Sequence, residues 1–238
     1  MRPCRTTWGS FPDVVIHADE PVLKKHPDYL AAKQGDSAAA ERVVLAVSTI
    51  GALDQISALI GTARPTLVAV HALETQGMNA IPRVFAQILG QTLDLPAQKN
   101  VVQVNRVTHT GADGYSRLAL PALFDGEVGV GQYFLVDDFV GQGGTLANLR
   151  GFLEHRGGTV VGATVLGGKA YSAKLRLELE TLNLLRAKHG QMLENWWHAT
   201  FGFGFDRLTE SEARYLIRVD DAHAVPDRII AASRNRNR

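Results

Sequence analysis

Cysteine is almost missing from this chain: Cys4 is the only one in 238 residues, which leaves neither a disulfide framework nor a cysteine-based zinc site. Excess charge is missing as well. The 25 Lys and Arg offset 24 Asp and Glu to a net +1, which argues against bulk electrostatic binding of nucleic acid. Any positive charge that serves a ligand must therefore be local. No run approaches the ~18 apolar residues of a membrane span. The opening MRPCRTTWGSF lacks the apolar core of a signal peptide, so the expectation is a cytoplasmic protein with no membrane partner. Internal repeats and low-complexity blocks are also absent. Hydrophobic residues at 45% and charged ones at 21% are ordinary globular values, and they predict disorder only at the ends. The length suits one α/β domain with an appended subdomain.

Against that plain background one stretch stands out, residues 133–145, YFLVDDFVGQGGT. Tyr133, Phe134, Leu135 and Val136 favour a buried strand and run into two adjacent carboxylates, Asp137 and Asp138. Gly141, Gly143 and Gly144 then form a turn, and a helix opens at Thr145. In an open parallel sheet, ligands bind beyond the carboxyl ends of the strands. Glycines let backbone N–H groups approach a phosphate, and a helix N-terminus adds positive dipole. Two acids beside a phosphate cradle repel it unless they face ribose hydroxyls or a metal ion. A sugar phosphate satisfies both halves.

This stretch resembles the signature of the type I phosphoribosyltransferases, which hold 5-phosphoribosyl 1-diphosphate (PRPP) with a hydrophobic strand, an acidic pair and a Gly/Thr-rich turn. The turn is similar to the Ala-Thr-Gly-Gly-Thr version of adenine-type enzymes, with Gln142 in place of the usual threonine. The resemblance implies an α/β fold, a Rossmann-like parallel sheet flanked by helices, with a small hood or lid from the N- and C-terminal segments. It implies that Asp137 and Asp138 face the ribose hydroxyls, directly or through water on a Mg2+ ion brought by PRPP. Gly141, Gln142, Gly143, Gly144 and Thr145 would hold the 5-phosphate. In hypoxanthine-type relatives an aspartate stands where this chain has Gly141, which disfavours an acceptor of that style. Adenine-like, pyrimidine or unusual acceptors stay open.

The rest of the chain divides into an N-terminal strand and helical segment (1–63), a core (64–170), a helical and aromatic segment (171–232) and a polar tail (233–238). A continuous β-prone run at 66–71 reads as a buried parallel strand, and Ile81, Val84, Phe85, Ile88 and Leu89 follow helical spacing. The loop between them resembles the family's diphosphate element. It carries Glu74 and no basic residue before Arg83, so the backbone N–H groups of Thr75, Gln76, Gly77 and Met78 are its anion-binding candidates. A second strand is expected at 101–104. The stretch after it is polar and includes His109, for which a functional role is disfavoured; its pattern of Arg106 and Thr108, then Arg117 and Phe124 leading into Gly131, loosely resembles a competence-related branch of the family. There the resemblance implies a mobile loop in which Arg106 and Arg117 meet the leaving diphosphate.

His17, Asp19, His26 and Lys169 are further contact candidates, with a structural or surface role favoured for each. Trp196, Trp197, Phe201, Phe203 and Phe205 are either a lid that stacks on a base or a hydrophobic cluster of the C-terminal segment. Thr209 and Glu212 have capping-box spacing. The expected activity is transfer of ribose 5-phosphate from PRPP to a small-molecule acceptor. Two alternatives stand beside it: a PRPP-binding regulatory protein without turnover, and a phosphoribosyltransferase-like module in a DNA-uptake or mobile-element process. A second copy of the chain is a partner the sequence leaves open. Because adjacent carboxylates repel, neutralising either Asp137 or Asp138 is expected to leave folding intact.

Overall fold

The computed structural model describes residues 2–71, 73–74, 77–105 and 114–234, with 73, 74 and 77 as backbone. The first strand, β1 (Val15–Asp19), runs into α1 (Glu20–Lys24), where Pro21 occupies the first turn at little cost. The short α2 (Tyr29–Lys33) stops before Gly35, whose φ of 108° is left-handed and suits glycine. Asp36 then accepts the backbone N–H groups of Ala38 and Ala39 to start α3 (Ser37–Val47), and Thr49 caps α4 (Ile50–Ile60).

β2 (Thr66–Ala69) lies within the stretch expected at 66–71. After it β3 (Leu73–Glu74) and β4 (Gly77–Met78) pair as a small antiparallel ribbon ahead of α5 (Ile81–Leu93). Chain order continues with β5 (Ala97–Gln98), β6 (Val102–Gln103), α6 (Gly114–Ala119) and β7 (Phe124–Asp125). The central β8 (Gly131–Val140), α7 (Gly144–Glu154) and β9 (Gly158–Gly168) follow, then α8 (Leu179–Phe201), α9 (Glu210–Ile217) and α10 (Ala224–Arg234). Gly190, with φ 71° and ψ 175°, breaks the regular helix inside α8. No single helix among the described residues is long and apolar enough to cross a membrane.

Five strands make one parallel sheet in the order β1-β9-β8-β2-β5. Its register sets Thr66 beside Tyr133 and Asp137 beside Val165. One departure from expectation lies at 101–104. That segment pairs antiparallel with β7 in a separate two-stranded ribbon, and the two-residue β5 takes the sheet edge beside β2. So short a strand between Pro96 and polar residues carries no alternating pattern for the sequence to display.

One apolar layer packs Phe134, Val136 and Leu166 against α3 and α5. The other packs Leu135, Val165 and Val160 against Leu146, Leu149 and Phe152 of α7, closed at its rim by Trp8 and Phe11. A third cluster joins α6 to the C-terminal helices around Trp197, Phe205 and Leu216. The chain thus leaves β2 through α5 on one face toward β5, and leaves β8 through α7 on the other face toward β9. These connections diverge between β2 and β8, the topological switch point where an open sheet has its crevice.

His17 belongs to this scaffold. Its Nδ1 accepts the N–H of Thr49, stitching β1 to the start of α4, and its ring stands edge-on to Phe85 at 5.1 Å. Burial lowers the imidazole pKa from 6.5 to about 4. The folded state therefore resists protonation that the unfolded chain accepts. This contribution is complete above about pH 6.5 and declines as pH falls toward 4, by at most about 3 kcal/mol. Thermal melts should show the parent losing more stability than His17→Gln across that window. Parallel pH profiles for the two proteins would contradict this assignment.

Candidate functional site

The acid pair lies at the carboxyl end of β8, at the switch point, and both carboxylates are buried. The strand continues through Val140, so the pair is held by the sheet and not by a loop. Asp137 Oδ1 accepts the backbone N–H of Asp138 at 2.8 Å. Asp138 Oδ2 lies 3.0 Å from Nζ of Lys33, the last residue of α2, and the side chains of this ion pair are only 8% and 16% exposed. Asn79, next to the β3–β4 ribbon, also bonds to Asp138, while its own Oδ1 accepts the N–H of Ile81 at the start of α5.

Burial, and then the neighbouring charge of Asp138, raise the Asp137 carboxyl well above the usual carboxylate range. Burial acts on Asp138 in the same direction. There the charge of Lys33, with hydrogen bonds from Lys33, Asp137 and Asn79, outweighs it and lowers the pKa. The pair is therefore one protonation-prone acid beside one ion-paired carboxylate. The magnesium that the resemblance brings with PRPP was expected to reach the pair through water, and the pair itself offers a divalent ion no open donor set, because Asp138 already faces the Lys33 ammonium. Among the described residues no group of three or more His, Cys, Asp or Glu is placed to hold a metal.

Past Val140 the chain turns through Gly141 and Gln142. Gly143 adopts φ 81° as it enters α7, and a Cβ there would lie 2.2 Å from Leu175, so this position requires glycine twice over. Gly141, Gln142, Gly144 and Thr145 are half-buried. The turn is fixed from outside by the C-terminal segment. Thr209 Oγ1 donates to the Gln142 carbonyl oxygen and completes the expected capping box with Glu212. Glu212 forms a buried two-pronged ion pair with Arg5, which also donates to Asn148 on α7, and both charges pack beside Gly144. The Gln142 side-chain oxygen is buried without a partner among the described residues.

Arg117 reaches the same turn from α6. Gly114 of that helix abuts the Tyr215 ring, Tyr115 meets Tyr215 edge-on at 5.3 Å, and a methyl group at Gly141 would come within 2.7 Å of the Arg117 guanidinium. Arg106, Thr108 and His109, with Thr75 and Gln76, lie outside the described residues. Gly77 and Met78 lie in the β4 half of the ribbon, and the Met78 side chain is exposed.

Other sequence candidates lie away from the pair. His26 accepts the Asp28 N–H, and exposed Lys169 pairs with Glu20 at 3.6 Å. Trp197, Phe201, Phe203 and Phe205 are core of the C-terminal unit, and partly buried Trp196 packs against the same cluster, so the stretch reads as that unit's hydrophobic cluster. Sequence reasoning missed Lys33 and Arg5. Each makes its contact across more than a hundred residues, and nothing near either in the chain distinguishes it from a surface charge.

One expectation needs correction, that neutralising either acid leaves folding intact. Asp137→Asn replaces a carboxyl already disposed to keep its proton with a neutral amide, whose oxygen can still accept the Asp138 N–H. Asp138→Asn instead leaves the Lys33 ammonium buried without its counter-charge, at a cost of about 3 kcal/mol. Denaturant unfolding at pH 7.5 should show Asp137→Asn no less stable than the parent and Asp138→Asn clearly less stable. Equal stability of the two variants would refute the asymmetry.

No family model matches the chain. Protein TraN of Escherichia coli is 40% identical over 229 residues, which cover 96% of this chain and 51% of that protein. An uncharacterized protein of Haemophilus influenzae is 36% identical over 151 residues, or 63% of this chain and 34% of that protein. The chain thus spans about half the length of the first relative and about a third of the second. Among solved structures, an adenine phosphoribosyltransferase aligns with a TM-score of 0.38 at 12% identity, covering 63% of this chain and 75% of its own. The adenine phosphoribosyltransferase of Leishmania donovani aligns with a TM-score of 0.35 at 12% identity, over 70% of this chain and 76% of that one.

Proposed function

We propose that the chain is a phosphoribosyltransferase that moves ribose 5-phosphate from PRPP to a nucleobase or related acceptor and releases diphosphate. The observation that carries this reading is the buried Asp137–Asp138 pair at the switch point, one turn away from the glycine-rich entry to α7. In the reaction the bond from ribose C1 to the diphosphate oxygen breaks with its electron pair leaving on oxygen. A bond from C1 to the acceptor forms, and the acceptor gives up a proton. Positive charge grows on the ribose as the bond breaks, so an ionised carboxylate nearby stabilises the transition state more than the ground state.

Asp138 is the charged member and serves that purpose. Asp137, disposed to hold its proton, donates to or accepts from a ribose hydroxyl. Backbone N–H groups at the start of α7 and the Thr145 hydroxyl hold the 5-phosphate. Arg117, reaching Gly141, offers a cation to the phosphates, and Arg106 is assigned the same work from the sequence alone.

A second function, PRPP binding without turnover within a longer protein, is favoured by the ribbon's sequence and by the length of the relatives. The ribbon carries Glu74 and no Lys or Arg, and the chain spans about half of Protein TraN. Diphosphate release measured with a panel of nucleobases separates the two. The enzyme releases diphosphate with at least one acceptor, and Arg117→Ala lowers kcat about tenfold or more while changing PRPP affinity less. PRPP binding with no release across the panel would leave only the binding function.

A further inference from the structure

Residues 72–79, between β2 and α5, contain Glu74 and no Lys or Arg. The next cation in sequence, Arg83, is exposed and donates to Ser37 Oγ at 2.8 Å, on the surface of α3. The positive charge beside this loop comes from α2 instead. The Ala80 N–H donates to the Ala32 carbonyl, and Gly35 packs so closely that a Cβ would sit 3.1 Å from the Met78 carbonyl oxygen. These contacts fasten the end of α2 to the exit of the ribbon. Lys33 is thereby carried into the crevice with its ammonium on Asp138.

Other nearby cations are engaged differently. Lys24 pairs with Glu20 and lies over the Phe139 ring at 4.4 Å, Lys169 pairs with the same Glu20, and Arg117 lies at Gly141. Among the ion pairs between described residues, the one made by Asp138 is with Lys33.

Resting on the PRPP reading above, we propose that Lys33 is the resident cation of this site. It supplies from α2 the charge the loop lacks and holds the ribose end of PRPP at Asp138 without a divalent metal. A hydrated divalent ion gains from an acid pair only if the carboxylates are charged and open to it. Here an ammonium at 3.0 Å already holds Asp138 Oδ2 and disfavours a doubly charged ion beside it, while Asp138 keeps its own charge. An ammonium can share its N–H groups between the carboxylate and an incoming ribose or diphosphate oxygen. It does so without leaving the helix that positions it.

The test is ligand-induced stabilisation of the whole chain by PRPP, in excess chelator and in excess magnesium, for the parent and for Lys33→Met and Lys33→Arg. The parent should bind PRPP with affinities in the two conditions that agree within about twofold, a difference of roughly 0.4 kcal/mol. Lys33→Met should lose at least tenfold in chelator, and Lys33→Arg should lose less. A parent that binds in magnesium but loses tenfold or more in chelator overturns the role of Lys33 and leaves the PRPP pocket standing. Parent-like binding by Lys33→Met in chelator also overturns it. Absence of PRPP binding by the parent in both conditions overturns the proposed function and this inference together. Should Lys33→Met fail to fold, the parent's two conditions and Lys33→Arg still decide the matter.

Discussion

Two carboxylates buried side by side at the end of a strand cannot both be ionised unless a cation joins them, and this end of the sheet is arranged around that restriction. Lys33 ionises Asp138, and Asp137 is left disposed to keep its proton. To deliver one ammonium, the fold binds α2 and the turn after it to the chain entering α5 through Ala32 and Gly35. Truncating either partner of such a pair costs far more than the pair contributes net to stability, since a buried charge is left alone. An expensive arrangement at a topological switch point is the pattern expected of a functional site and not of a core.

The second half of the site is held by a different buried pair. Arg5 and Glu212 come from opposite ends of the chain and meet beside Gly144, with Asn148 and the Thr209 capping box completing the network. Through it the packing of the C-terminal helices reaches the glycine turn directly. Thr209 bonds to the Gln142 carbonyl, and α6, which is packed on Tyr215, points Arg117 at Gly141. The C-terminal unit is therefore a clamp on the turn, and its aromatic residues are the core that stiffens the clamp.

Features whose causes are local were legible in the sequence. Strand, acids, glycines and helix follow one another in 133–145, and the left-handed Gly143 falls where the turn was read. Thr209 caps the helix that its spacing to Glu212 announced. Features that depend on distant partners were hidden. A lysine on a five-residue helix reads as solvated until its contact 105 residues away is known. Nothing local in the chain marks Arg5 or Trp8, although Trp8 donates its indole N–H to the Leu208 carbonyl. The aromatic stretch had one composition and two meanings, and only packing chose between them. The equivalence of the two acids failed for the same reason, because the charge that distinguishes them is not nearby in the chain.

The central claim is positional: one ligand spans from the glycine turn to the acid pair. A crystal structure of the chain with PRPP tests it most directly. The account predicts the 5-phosphate against the backbone N–H groups of residues 142–145 and the ribose hydroxyls within hydrogen-bond reach of Asp137 and Asp138. PRPP seated elsewhere, for example among Tyr115, Tyr215, Arg218 and Arg228 in the cleft between α6, α9 and α10, with the acid pair still closed on Lys33, would contradict it.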